Sequence, residues 1–124
     1  MAQSLEPVFA DLRGRMVRAS TGMDIALDQP GNLLLKAPWN KPGKKERAWF
    51  GAVYLKKSYV SVHLVPLYSF PSLHGTVPVE LHRRMQGVSC FNFKTVEPDL
   101  FDALERLIGT CAAAYATQVA AKPH

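Results

Sequence analysis

The hydrophobic pattern of the chain changes period along its length. Leu5, Val8, Phe9, Leu12 and Met16 recur at helical spacing and make one apolar stripe. Ser4 stands where an N-cap belongs, Pro7 fits a first turn, and Ser20-Thr21-Gly22 closes the segment. The period then shortens to two. Met23, Ile25 and Leu27 alternate with Asp24, Ala26 and Asp28, and Leu33 to Ala37 returns as a second strand. Between them Gln29-Pro30-Gly31-Asn32 predicts a type II turn, with proline second and glycine supplying the positive φ. Pro38 to Arg47 (PWNKPGKKER) reads as a loop.

The clearest hairpin pairs Ala48–Leu55 with Tyr59–Val65. If Leu55 faces Val60, then Val53 faces Val62 and Gly51 faces Leu64, and Trp49 extends that row as the core face. Gly51 marks a bulge or a close approach. The other face then collects Phe50, Ala52 and Tyr54 from one strand and Tyr59, Ser61 and His63 from the next.

Pro66 ends that strand, and residues 66–76 form an irregular connection. A short helix follows, with Thr76 as cap, Leu81 and Met85 buried and Gly87 as terminator. Val88 to Thr95 alternates again, with Phe91 and Phe93 on one side and Cys90 and Asn92 on the other. From Pro98 past Tyr115, Leu100, Phe101, Leu104, Leu107, Ile108 and Cys111 restore the helical stripe, and the alanine-rich tail frays near Lys122. The order predicts one α+β domain over 1–124, with its core at about 4–117. It consists of an antiparallel sheet of about five strands, with N- and C-terminal helices packed on one face.

Composition adds limits. With 124 residues, 48% of them hydrophobic, one packed core is expected. No apolar run is long enough to span a bilayer, and MAQSLEPVFADLRGRM does not read as a signal peptide. The expected location is therefore cytoplasmic, with Cys90 and Cys111 as reduced thiols. The net charge of +5 is concentrated: Lys36 to Lys57 holds seven basic residues against Glu46 alone. Such a cluster attracts anions, but no nucleic-acid motif accompanies it, and a solvated loop is the plainer reading.

Phe50–Leu67 (FGAVYLKKSYVSVHLVPL), the RMQGVSCFNFK run over 84–94 and the Pro98-Asp99-Leu100-Phe101 helix start resemble the YdhG-like group of small uncharacterised bacterial proteins. The resemblance covers roughly residues 48–110 and implies a frataxin-like fold, two helices on one face of an antiparallel sheet. For function it implies iron delivery, which some members of the wider class are linked to. The first helix departs from the acidic pattern tied to that role, since Arg13, Arg15 and Arg18 accompany Glu6 and Asp11.

The leading functional reading is a cytosolic binding or accessory module, a monomer or homodimer. It engages a protein partner or small ligand through the open sheet face formed by Phe50, Tyr54, Tyr59, Ser61, His63, Cys90 and Asn92. The plainer alternative has these rings covered by the 66–76 connection, with His63 an ordinary hydrogen-bonded strand histidine. A second reading is an iron-binding metallochaperone using Asp24, Asp28 and His63, all expected on that same face with Cys90 and Asn92. A third is nucleic-acid binding through Lys41, Lys44, Lys45, Lys56 and Lys57 beside Tyr54. An enzyme using Cys90 as nucleophile comes last, because a strand cysteine commonly serves as small apolar filler. Cys111, inside the last helix stripe, reads as core.

Overall fold

A computed structural model describes residues 4–40 and 43–120, and of 118–120 only the backbone. The first helix, α1, spans Glu6–Ala19 and buries Val8, Phe9, Leu12 and Met16, the stripe read from the sequence. Its N-cap is Leu5, and Ser4 Oγ accepts the Glu6 N–H one residue further on. Strands β1 (Asp24–Gln29) and β2 (Asn32–Asn40) pair through the expected turn, where Gly31 has φ 75°. β3 (Arg47–Leu55) and β4 (Val60–Leu64) follow. A short helix, α2 (Val65–Ser69), and two 3₁₀ segments (71–76 and 79–84) then replace the irregular connection and the short α-helix. Thr76 caps neither: its hydroxyl donates back to the Leu73 carbonyl. The two-residue strand β5 (Met85–Gln86), β6 (Cys90–Phe93) and the long helix α3 (Pro98–Ala120) complete the chain. Gly109 lies inside α3 without ending it.

The sheet is antiparallel, in the order β1-β2-β3-β4-β6-β5, six strands rather than the expected five. The extra strand is β5, too short to carry a periodic signal. It folds back on β6 through a turn that holds Gly87 at φ 69°. The β2 strand is longer than expected and runs on through Pro38. Proline is tolerated there because the β2–β3 ladder is irregular between Lys36 and Asn40, so no ladder bond needs its missing N–H.

Helices α1 and α3 cover one face. Leu33, Leu35, Val53, Val60, Val62, Leu64, Phe91 and Phe93 point into that layer and meet Met16, Phe101, Leu104 and Ile108. Arg15 ties the two helices, reaching Asp11 at 2.6 Å on its own helix and Asp102 at 2.6 Å on α3. Among the described residues no helix covers the opposite face. Among the described residues no helix is long and apolar enough to cross a membrane.

The β3–β4 register is the one read from the sequence, with Leu55, Val53 and Gly51 opposite Val60, Val62 and Leu64. The extension of that row to Trp49 fails. Leu35 pairs with Gly51 but Lys36 pairs with Trp49, so Phe50 is an extra residue, a β-bulge. The bulge turns Phe50 into the core, where it is 0% exposed, and turns Trp49 outward, where it is 41% exposed. Phe50 therefore belongs to the packed layer and not to the open face. The Trp49 carbonyl accepts the Tyr115 hydroxyl of α3 at 3.1 Å, and the Tyr115 ring packs against Trp39, Phe50 and Phe70.

Gly51 is the close approach. A Cβ there would lie 2.8 Å from the His63 carbonyl oxygen and 3.3 Å from Met16 Cε. Backbone and packed core must both yield to it, so Gly51→Ala is expected to destabilise the fold by about 1–3 kcal/mol. Gly14, inside α1, faces only the movable tip of Arg18 at 3.3 Å. Gly14→Ala is expected to stabilise by about 0.5–1 kcal/mol. Urea unfolding of both variants checks the pair, and a neutral Gly51→Ala would contradict the close packing of α1 on β3.

Candidate functional site

The ladder places the candidate residues. Ala52, His63, Cys90 and Gln86 form one cross-strand row over β3, β4, β6 and β5, and Tyr54, Ser61 and Asn92 form the next. Their neighbours Val53, Val62 and Phe91 point into the core, so strand alternation sends both rows to the uncovered face. Of the seven residues assigned to that face, the ladder keeps Tyr54, Ser61, His63, Cys90 and Asn92 on it; Phe50 turns to the core, and Tyr59 lies just before β4, in the wall of an adjoining cleft.

His63 is the centre of the cluster. Its Nδ1 lies 2.9 Å from Cys90 Sγ, and its Nε2 lies 3.3 Å from Ser61 Oγ. Either neutral tautomer satisfies both contacts: the thiol donates to Nδ1 while Nε2–H donates to the serine oxygen, or Nδ1–H donates to the sulfur while the serine hydroxyl donates to Nε2. The Tyr54 ring meets the imidazole edge-on, with centroids 5.4 Å apart, and Lys56 Nζ lies 5.0 Å from the Tyr54 centroid. Ser61 is buried beneath these groups at 4% exposure. Burial first, and then the positive charge of Lys56, push His63 below its ordinary pKa of 6.5. The ring is thus neutral at pH 7. Burial pushes the Tyr54 phenol up, which keeps it protonated. Beside Ser61, the Asn92 side-chain oxygen is buried without a hydrogen-bond partner among the described residues.

Next to the cluster, on the side of Gln86 and Asn92, lies a cleft of about 290 Å³ walled also by Tyr59, Arg83, Arg84 and Lys94. Sequence reasoning missed this feature. Its walls come from a 3₁₀ segment and the two-residue strand β5, neither of which has a periodic signature. The one available signal was Gly87 between RMQ and VSCFNF, a turn residue between two short paired runs.

The metal set is not assembled. β1 carries its own bulge at Ala26: Ile25 pairs with Leu35, and Leu27 with Leu34. The bulge reverses the facing of Asp28 relative to Asp24. Asp28 turns to the helix side, where Arg13 Nε binds it at 2.9 Å, while Asp24 pairs with Arg47. The Arg13 hydrogen bond holds the Asp28 carboxyl below its ordinary pKa. Two strands separate β1 from β4, so neither aspartate reaches His63. Among the described residues no group of three or more His, Cys, Asp or Glu side chains is placed to hold a metal ion.

The basic segment is also divided. Lys41 lies outside the described residues, as does Lys122. Lys44 and Lys45 precede β3 and Lys56 and Lys57 follow it. The nine residues of that strand put the two pairs roughly 30 Å apart. The sites of the two cysteines differ in the same decisive way. Cys90 is half-buried on the open face, whereas Cys111 is 0% exposed within α3 and burial pushes its thiol up to about 12.

In the folded protein Cys90 is expected to react with iodoacetamide well before Cys111, read by mass mapping of the labelled peptides. His63→Ala is expected to slow the Cys90 reaction severalfold by removing the proton acceptor; an unchanged rate would dissociate the pair. A second expectation concerns pH. Because His63 has a lowered pKa in the fold, the unfolded chain binds the proton more readily below 6.5. The contribution of His63 to stability is therefore fully present above pH 6.5 and is lost as pH falls from there through the folded-state pKa. Urea midpoints between pH 7.5 and pH 5 should fall less steeply for His63→Gln than for the parent. Compared with known proteins, the chain matches no family model, no curated protein and no solved structure.

Proposed function

We propose that the protein is a binding module that takes a small polar ligand on the uncovered face of its sheet. The observation that carries the reading is the connected cluster of Tyr54, His63, Cys90 and Ser61 on a face no helix covers. The rings and the thiol supply contact area, and the imidazole and Asn92 supply directed hydrogen-bonding groups. This mix is typical of small-molecule sites, where a few convergent polar groups lie among apolar ones. The adjoining cleft, about 290 Å³, suits a compact ligand better than a broad protein face. Membership of the YdhG-like group belongs to the same proposal. It is supported by the RMQGVSCFNF run and by the sheet with two terminal helices on one face. So does a cytosolic location, supported by the half-buried free thiol of Cys90.

A second reading, thiol chemistry at Cys90, is supported by the 2.9 Å contact between Cys90 Sγ and His63 Nδ1. A nucleophile beside a neutral base, itself held by a third group, is the arrangement such chemistry needs.

A thermal-shift screen of a metabolite library tests the binding reading. A true ligand is expected to raise the Tm of the parent by several degrees at about 100 times its Kd. It should lose most of that effect with Tyr54→Ala while keeping it with Arg106→Gln on α3. Stabilisers that act equally on the parent and Tyr54→Ala would place binding away from this face.

A further inference from the structure

We propose that the cleft beside Cys90 binds the anionic group of a small ligand, a phosphate or a carboxylate. The inference rests on the ligand-binding reading of the open face and names the chemical class of the ligand.

Charge is the first argument. Arg83, Arg84 and Lys94 line the cleft and no acidic residue does. Glu97 is taken by Arg84 through two hydrogen bonds, Nε to Oε2 at 2.8 Å and Nη2 to Oε1 at 2.5 Å. Arg83 also adds its charge to the field at Glu97, but neither Arg83 nor Lys94, both exposed, has a carboxylate within ion-pair distance among the described residues. Elsewhere on the fold most arginines are compensated: Arg13 by Asp28, Arg15 by Asp11 and Asp102, Arg18 by Glu105, and Arg47 by Asp24.

Position is the second. The β3–β4 tip carries Lys56 and Lys57, and the Lys56 N–H bonds the Tyr59 carbonyl at the cleft wall. β4 begins at Val60 opposite Phe93, so the tip and Lys94 share one end of the sheet. Their charges add to the field that draws an anion inward. The cleft also has two neutral amide side chains in its wall. Gln86 pairs across the ladder with Cys90, and Asn92 lies two residues along the same strand face. An anion held by Arg83 and Lys94 thus places the rest of its molecule towards Cys90 and His63.

Shape decides the size of the ligand. A cleft of about 290 Å³ accommodates a compact metabolite. A polyanion needs a continuous basic track, and Lys44 and Lys45 lie at the far end of β3.

The test is an amide-resolved NMR titration of the full chain with three probes: inorganic phosphate, acetate and a short oligothymidylate. Phosphate or acetate is expected to shift the amides of 83–86 and 92–95 with a millimolar Kd. The double variant Arg83→Gln/Lys94→Gln should weaken that binding roughly tenfold or more, while Arg106→Gln on α3 leaves it unchanged. A response to phosphate alone assigns a phosphate-bearing ligand, and a response to acetate alone assigns a carboxylate. Silence of these amides to both small anions overturns the proposal, as does an equal response in the double variant. A response to oligothymidylate only overturns it in favour of a nucleic-acid surface. If the amides are silent but a Tyr54-dependent stabiliser is found, the anion site alone falls and the open-face reading stands. If neither appears, both fall.

Discussion

The bulge at Phe50 is the constraint on which the two faces of this sheet depend. One extra residue in β3 lets the strand place both Phe50 and Gly51 towards the helices while Trp49 turns outward. A bulge leaves a backbone group without a regular ladder partner, and such groups are costly inside a protein. Here the Trp49 carbonyl is met by the Tyr115 hydroxyl from α3. The same ring fills the space between Trp39, Phe50 and Phe70. Helix, bulge and core are thus fixed by one side chain that satisfies a polar group and packs apolar ones.

The uncovered face follows from what the covered face requires. α1 can approach β3 closely only because Gly51 has no side chain, and Met16 occupies the space. With the aliphatic and aromatic rows of β2, β3, β4 and β6 turned towards α1 and α3, strand alternation leaves Tyr54, Ser61, His63, Cys90 and Asn92 for the other side. These residues then bury one another. Ser61 is covered although no helix lies over it, and His63 loses enough water to titrate below its ordinary value.

Charge is sorted along with shape. Bulges and helix packing pair most arginines with acids: Arg13 with Asp28, Arg15 across the two helices, Arg47 with Asp24. Pairing of this kind at the surface contributes little stability, but it fixes where unbalanced charge remains. Part of the remainder gathers at the end of the sheet that holds Lys56, Lys57, Arg83 and Lys94. The net positive charge visible in the composition is therefore less informative than its distribution, which the linear run from Lys36 to Lys57 misrepresents.

What the sequence determined by itself was periodic: both long helices with their stripes, the Pro30-Gly31 turn, the β3–β4 register and the outward facing of Tyr54, Ser61, His63, Cys90 and Asn92. Each depends on a regular spacing that local backbone geometry imposes, so it can be counted along the chain. Only the tertiary structure decided the features that break a period. A bulge at Ala26 sent Asp28 away from Asp24, and a bulge at Phe50 exchanged Phe50 with Trp49. Both are single-residue slips, and a slip of one reverses every facing beyond it. His63 and Cys90 were expected on one face, but their 2.9 Å contact and the basic cleft were not legible. They arise from pairing β6 with β4 and β5 with β6, partners chosen by core packing across the sheet, which no short stretch of sequence encodes.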